Sequence, residues 1–128
     1  RGVDVRLLTM SHRTDKPYIY YAARERYPTL LDRGVQIFEY QPSMMHAKLM
    51  LLDDQWVSMG SANLDPRSFF RNDEINVSTQ EPQLVDAIAT LFKSAFEESQ
   101  DISRQQWQQR SQWQRWYGRG VLMLYWQL

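Results

Sequence analysis

Cysteine is absent from this chain of 128 residues. Its absence excludes disulfides, zinc-thiolate centres and thiol nucleophiles, and it fits a reducing compartment. Long apolar runs are also missing. Residues 121–128 are apolar but far short of the roughly 20 residues that cross a bilayer. The opening residues do not read as a signal peptide. It starts Arg1-Gly2-Val3 without an initiator Met, so a cut or processed boundary is expected there. Acidic residues stop at Asp101, after which Arg104, Arg110, Arg115 and Arg119 give the end of the chain a charge of +4. With 15 Lys+Arg balancing 15 Asp+Glu overall, residues 1–103 carry −4. An acidic body argues against a broad nucleic-acid surface, because such affinity comes from many Lys/Arg–phosphate contacts. A short basic tail suits the phosphates of lipid or nucleic acid.

What is present is the composition of one folded domain, 43% hydrophobic and 23% charged, with no internal repeat and no low-complexity linker. Residues 3–8 alternate apolar and polar and read as a strand. Residues 9–17 form a polar loop holding His12 and Asp15. Ile19, Ala22, Ala23, Tyr27, Leu30 and Leu31 follow helical spacing; Pro28 interrupts that helix and Arg33-Gly34 ends it. Residues 35–40 are a second strand. Residues 46–52 read as a buried strand, 53–55 as a turn and 56–60 as the return strand of a hairpin. Residues 61–72 read as a polar loop, and 74–78 as a further strand. Pro82 opens a helix whose interior is Leu84, Val85, Ile88, Leu91, Phe92 and Phe96. A last helix is expected from 103 to about 117, ended by Gly118 and Gly120. The fold class is α/β, a mixed β-sheet flanked by helices.

His46-Ala47-Lys48 places an imidazole and an ammonium two residues apart, on one side of a strand. Ser61-Ala62-Asn63 repeats the spacing with a hydroxyl and an amide, directly after Gly60. If the two strands pair, the four groups converge. A nucleophile or base, a fixed cation and two hydrogen-bonding groups suit a phosphodiester. Gly60 permits close backbone approach, while Asp53 and Asp54 read as turn residues. Taken singly, these pairs are common surface and turn features; the joint spacing is what carries weight. The residues alone leave open whether His46 attacks or acts as a base.

The array His46-x-Lys48, Asp53, Gly60-Ser61-x-Asn63 resembles the HKD signature of the phospholipase D superfamily. Its flanks, Tyr40-Gln41-Pro42, Asn63-Leu64-Asp65-Pro66-Arg67-Ser68 and Asn72-Asp73-Glu74, look like the second HKD half of bacterial cardiolipin synthases. So does the opening Gly2-Val3-Asp4-Val5-Arg6. The resemblance covers nearly the whole chain. It implies a phospholipase D-like catalytic half-domain over residues 1–103, followed by a basic, Trp-rich helix and tail over 104–128. It implies phosphatidyl transfer from phosphatidylglycerol, giving cardiolipin and glycerol through a phosphohistidine, at the bacterial inner membrane. His46 would be one of two active-site histidines. Lys48 and Asn63 would hold the phosphoryl oxygens with help from Ser61. Glu74 would hydrogen-bond the nucleophilic imidazole and fix its tautomer. Asp53 and Gly60 would support the site. No metal and no cofactor is implied. Arg67 and His12 are weaker candidates for substrate contact; Arg67 reads first as an anchor beside its loop, and His12 as a solvated loop histidine.

One HKD motif leaves this chemistry half supplied. The implied partner is an N-terminal HKD half in the same enzyme. The alternative is a homodimer of single-motif chains acting as a phosphodiesterase or nuclease. The acidic body and the flanks favour a phospholipid substrate over nucleic acid. Tyr18, Tyr20, Tyr21 and Tyr27 read as helix packing. The tail, with Trp107, Trp113, Trp116, Tyr117, Tyr125 and Trp126 among its arginines, has three readings: packing on its own domain, contact with a membrane surface, or contact with the partner half.

Overall fold

The computed structural model describes residues 2–125, without the side chains of Pro66, Arg67, Leu124 and Tyr125. In chain order the elements are β1 (Arg6–Met10), α1 (Pro17–Arg24), α2 (Tyr27–Leu31), β2 (Gln36–Tyr40), β3 (Leu49–Leu52), β4 (Trp56–Gly60), α3 (Pro66–Phe70), β5 (Asn76–Thr79), α4 (Pro82–Glu97), β6 (Ser99–Asp101), α5 (Arg104–Gln108) and α6 (Gln112–Tyr125). The fold is mixed α/β, as expected. The strands form two three-stranded sheets rather than one. They belong to two compact units: residues 1–45 with 96–128, and residues 46–95.

In the first unit β2 is central. It pairs in parallel with β1, Arg6 opposite Gln36 through Met10 opposite Tyr40. On its other edge it pairs antiparallel with β6, Phe38 opposite Asp101 and Tyr40 opposite Ser99. Strand β6 was not expected. Ser99-Gln100-Asp101 has no apolar alternation, and only pairing with β2 makes it a strand. Ile37 is fully buried and packs with Tyr27 and Ile102, against Leu30, Leu31, Val35 and Trp107. The chain reaches this core through a helix stop that the sequence predicts. Gly34 takes a left-handed φ of 82°. Its N–H bonds the Leu31 carbonyl at 3.0 Å while Val35 N–H reaches the Leu30 carbonyl at 3.1 Å. That pair of bonds is a Schellman cap, which closes the helix and sets Val35 beside Leu30. Pro28 divides the first helical stretch into α1 and α2, as predicted.

The expected single helix from 103 to 117 is two helices. Ser103 caps α5 reciprocally: its hydroxyl accepts from Gln106 N–H at 3.2 Å, and the Gln106 side chain accepts from Ser103 N–H at 2.9 Å. The chain breaks after Gln108, and α6 then runs straight through Gly118 and Gly120. Gly118 does not end the helix. A Cβ there would lie 2.7 Å from the Tyr21 carbonyl oxygen and 2.9 Å from a Glu25 carboxylate oxygen. The missing side chain is what lets α6 lie against α1. Tyr21 meets Trp113 and Tyr117 edge-on, both at 5.5 Å between ring centroids. Trp107 donates its indole N–H to the Arg24 carbonyl at 2.9 Å, under the Arg110 guanidinium. The basic tail thus docks on acidic residues of its own unit: Arg104 on Asp32, Arg110 and Arg119 on Glu25. Trp126 lies outside the described residues.

In the second unit β4 is central. It pairs antiparallel with β3, Leu49 opposite Met59 through Leu52 opposite Trp56. It also pairs with β5, Val57 opposite Thr79 through Gly60 opposite Asn76. Val57 is fully buried. The strand expected at 46–52 is shorter and more exposed than predicted, with Met50 and Leu52 each about half exposed. Helix α4 starts at Pro82, as predicted. Val85 is its buried anchor, while Leu84 and Leu91, expected in the interior, are exposed.

Candidate active site

The site is built by one hairpin and one added strand. Asp53 and Asp54 both have φ near 50°, and Gln55 N–H bonds the Leu52 carbonyl at 3.0 Å. This is the left-handed pair of a type I′ turn, which matches the twist of the strands it joins. Asp53 therefore sits at the opposite end of the hairpin from the motif residues. At the open end, Gly60 N–H bonds the Lys48 carbonyl at 3.2 Å. This register brings His46-x-Lys48 alongside Ser61-x-Asn63. His46, Lys48, Gly60, Ser61 and Asn63 line an open cleft of about 300 Å³. The convergence expected of the hairpin is realised, although His46 and Lys48 precede β3 rather than lie within it.

Lys48 is held against the imidazole. Its Nζ donates to the His46 carbonyl at 2.9 Å and lies 3.2 Å from Nδ1 and 3.3 Å from Nε2. A cation and an imidazole therefore share one edge of the cleft. The imidazole is exposed, open to whatever enters.

Strand β5 brings in the carboxylate. Gly60 opposite Asn76 leaves no room for a side chain, since a Cβ on Gly60 would lie 2.0 Å from Asn76 Oδ1 and 2.2 Å from the Ile75 carbonyl oxygen. The close approach predicted for this glycine is thus made to β5. One residue on, Ser61 N–H donates to the Ile75 carbonyl at 3.0 Å, and Ile75 N–H donates to Ser61 Oγ at 3.0 Å. Ser61 Oγ then donates to Glu74 Oε2 at 2.5 Å. Ser68 Oγ donates to Glu74 Oε1 at 2.7 Å, joined there by Asn72 Nδ2 at 3.3 Å. These donors, Ser61 foremost, hold the Glu74 carboxyl below the usual carboxylate range; the Lys48 charge adds to the effect. The hydrogen bonds of Glu74 go to two hydroxyls and an amide rather than to His46, where a bond to an imidazole had been expected.

Ser68 is a site residue that the sequence reading missed. It lies in α3, inside the stretch read as a loop. Asp65 caps that helix by accepting from Ser68 N–H at 2.8 Å, and Pro66 takes its first position. Asp-Pro-x-Ser was a legible helix start. The cap aims Ser68 Oγ at two targets: it accepts from Asn63 N–H at 3.1 Å while donating to Glu74. One hydroxyl thus ties the carboxylate to the backbone of Asn63. The Arg67 side chain lies outside the described residues. His12 is exposed on the loop after β1, in the first unit, whereas the cleft lies wholly in the second.

A second polar cluster was also missed. Glu39 is 3% exposed on the same face of β2 as Ile37. It accepts from Tyr20 at 3.2 Å and Tyr27 at 3.1 Å, and lies 3.2 Å from the Arg24 guanidinium. Burial raises its carboxyl pKa, against the opposing pull of Arg24 and the two phenols. Of the tyrosines expected to pack, Tyr20, Tyr21 and Tyr27 do so while Tyr18 is exposed, and Tyr20 and Tyr27 also satisfy a buried charge. Among the described residues, no three His, Cys, Asp or Glu side chains group as metal ligands.

The family model described as "Cardiolipin synthase, PLD-like domain" matches residues 1–96. Cardiolipin synthase 2 of Bacillus cereus is 41% identical over 101 residues, 79% of this chain and 20% of that protein. The cardiolipin synthase of Geobacillus kaustophilus is 38% identical over 109 residues, 85% of this chain and 22% of the relative. That of Staphylococcus aureus is 31% identical over 112 residues, 88% and 22% of the two chains. The chain therefore spans about a fifth of the length of these relatives. Among solved structures, the phospholipase D family member Nuc of Salmonella typhimurium aligns with a TM-score of 0.62 at 17% identity, covering 79% of this chain and 65% of that one. NucT of Helicobacter pylori aligns at 0.57 and 19%, covering 80% and 67%. At such identities these two likenesses concern the fold.

Proposed function

Since the chain belongs to the family of cardiolipin synthase PLD-like domains, we propose that it supplies one of two HKD halves of a phosphatidyltransferase. That enzyme would make cardiolipin from phosphatidylglycerol at the bacterial inner membrane. The observation that carries this reading is the convergence of His46, Lys48, Ser61 and Asn63 on one cleft, with an ionised Glu74 bonded to its wall.

The chemistry runs in two displacements. An imidazole nitrogen attacks phosphorus of the first phosphatidylglycerol, and the bond from phosphorus to the glycerol oxygen breaks. A second imidazole, opposite the first, gives the leaving oxygen its proton, and glycerol departs. The hydroxyl of a second phosphatidylglycerol then attacks the phosphohistidine. Its proton returns to the second imidazole, and the first is released with cardiolipin. His46 supplies one of these imidazoles. Lys48 and the Asn63 amide carry the charge that gathers on the phosphoryl oxygens, and Ser61 and Ser68 keep Glu74 in place to orient an imidazole in the assembled site.

The other histidine comes from a second motif. Two features support that partner. In-line displacement at phosphorus needs groups on both sides, and this cleft offers one imidazole. The second unit also exposes much large apolar surface beside the motif, with Leu64, Phe69, Phe70 and Ile75 between 62% and 84% exposed. Incubating the complete enzyme with phosphatidylglycerol vesicles, and in parallel with single-stranded DNA, tests the reading. Cardiolipin and glycerol are the expected products. Cleavage of DNA without any lipid product would favour the phosphodiesterase instead.

A further inference from the structure

We propose that the outward face of α6 is a second binding site, separate from the HKD cleft, that docks on the surface of an anionic phospholipid bilayer. Gln112, Trp116, Arg119 and Met123 follow one another at helical offsets of four, three and four residues, so they lie along one side of the helix. Trp116 is 75% exposed and Met123 is 76% exposed. Between them the Arg119 side chain is 66% exposed. Gln112, Arg115, Trp116 and Arg119 line a cleft of their own. Other positions of α6 meet α1: Gly118 abuts the Tyr21 backbone, and Trp113 and Tyr117, themselves partly exposed, meet the Tyr21 ring. The helix cannot roll to bury Trp116 without giving up these contacts.

Charge selects the occupant. Residues from 104 onward contain four arginines and no acid. The body answers with two carboxylates, Asp32 for Arg104 and Glu25 for Arg110 and Arg119 together. Arg110 holds Glu25 at 2.7 Å with both side chains buried, while Arg119 stands 3.7 Å away. Among the described residues, Arg115 bonds the Gln108 carbonyl, and its Nε is buried without a hydrogen-bond partner. Four arginines against two carboxylates leave an excess of two positive charges at this end of the chain, where Arg119 shares Glu25 with Arg110. Apolar tips and guanidinium groups alternate along one line. That pattern suits a plane where rings and thioethers enter the acyl boundary while cations stay among phosphates. No helix among the described residues is long and apolar enough to cross a membrane.

The test uses the protein in a His46→Ala background, which prevents turnover of the lipid. Co-sedimentation is measured with vesicles of phosphatidylcholine alone and with vesicles containing phosphatidylglycerol or phosphatidylserine. Both anionic vesicles should bind at least tenfold more tightly than the neutral ones, and less so as salt rises. Arg119→Glu changes the face by two charges and should weaken anionic binding by about thirtyfold. Trp116→Ala with Met123→Ser should weaken it by about tenfold or more. Unchanged circular dichroism melts would show that both variants fold. Three results overturn the proposal. One is equal binding to neutral and anionic vesicles. Another is wild-type binding by both variants. The third is no vesicle binding together with a dimer that Trp116→Ala dissociates, which would make the face a protein interface. Vesicle binding through α6 with no transferase activity in the complete enzyme that retains His46 would sink the proposed function and leave this inference standing.

Discussion

Ser68 shows how much of the site hangs on a single hydroxyl. It accepts from Asn63 N–H and donates to Glu74, so one hydroxyl ties the Asn63 backbone to the carboxylate. Ser68→Ala removes one donor to the ionised Glu74. The Glu74 pKa should rise toward its ordinary value, and the acid limb of the pH–rate profile should move to higher pH. Ser68→Thr keeps the hydroxyl and should restore the limb. A profile that does not move in Ser68→Ala would remove Ser68 from the site. At this scale the motif was legible because strand alternation places residues two apart on one side. Ser68 was not, because its serine was read as loop chemistry. Glu39 left a signal that went unread: it shares a strand face with Ile37. Tyr20, Arg24 and Tyr27 also fall at helical spacing to meet it.

The Glu39 cluster makes a second prediction. Burial, and then the Glu39 charge, raise the pKa of Tyr20 and of Tyr27. The folded state therefore holds these protons longer than the unfolded chain does. Stability should be intact below the unfolded phenol pKa of about 10 and should fall as pH rises above it. Tyr27→Phe costs about 1–2 kcal/mol at pH 7 by leaving Glu39 one donor short, and that deficit should shrink above about pH 10. Thermal melts of both proteins from pH 7 to 11 check the sign. Parallel melting curves would contradict it.

At the scale of elements, the strands of the hairpin and the first two helices follow patterns visible in sequence: apolar runs on either side of the Asp53-Asp54 turn, Pro28, and the Gly34 stop. Strand β6 and helix α3 do not, and for different reasons. Strand β6 exists only because β2 offers a free edge. Helix α3 is five residues long, too short for periodicity to register. Gly118 misled in the opposite direction, since a glycine near a helix end reads as a stop when its use is close packing. Gly118→Val puts a side chain 2.7 Å from the Tyr21 carbonyl oxygen. It should separate α6 from α1 and cost about 1–3 kcal/mol, the range for overpacked contacts. Urea denaturation followed by tryptophan fluorescence measures this. A variant as stable as the wild type would mean that α6 does not depend on that contact.

At the scale of the whole molecule, zero net charge conceals a division of labour. An acidic body and a basic end meet at Asp32 and Glu25, which hold the C-terminal helices in the first unit, and the excess of arginine leaves that end net positive. The second unit carries the motif and a broad apolar surface beside it. Sequence spacing made the motif legible, and chemistry made the need for a second imidazole legible. Which surfaces stay uncovered was not legible, because exposure is a property of packing: Leu84, Leu91, Phe69 and Phe70 have the composition of a core and lie outside it.

The central claim is that His46 takes part in bond-making or proton transfer at phosphorus. Its most direct test is His46→Ala in the complete enzyme, assayed for cardiolipin formed from phosphatidylglycerol, with circular dichroism to verify the fold. Product formation should fall by at least ~10³-fold, the order expected when a nucleophile or its general acid is lost. The fold should be unchanged, since this imidazole is exposed. Turnover at the wild-type rate by a folded His46→Ala enzyme would contradict the account.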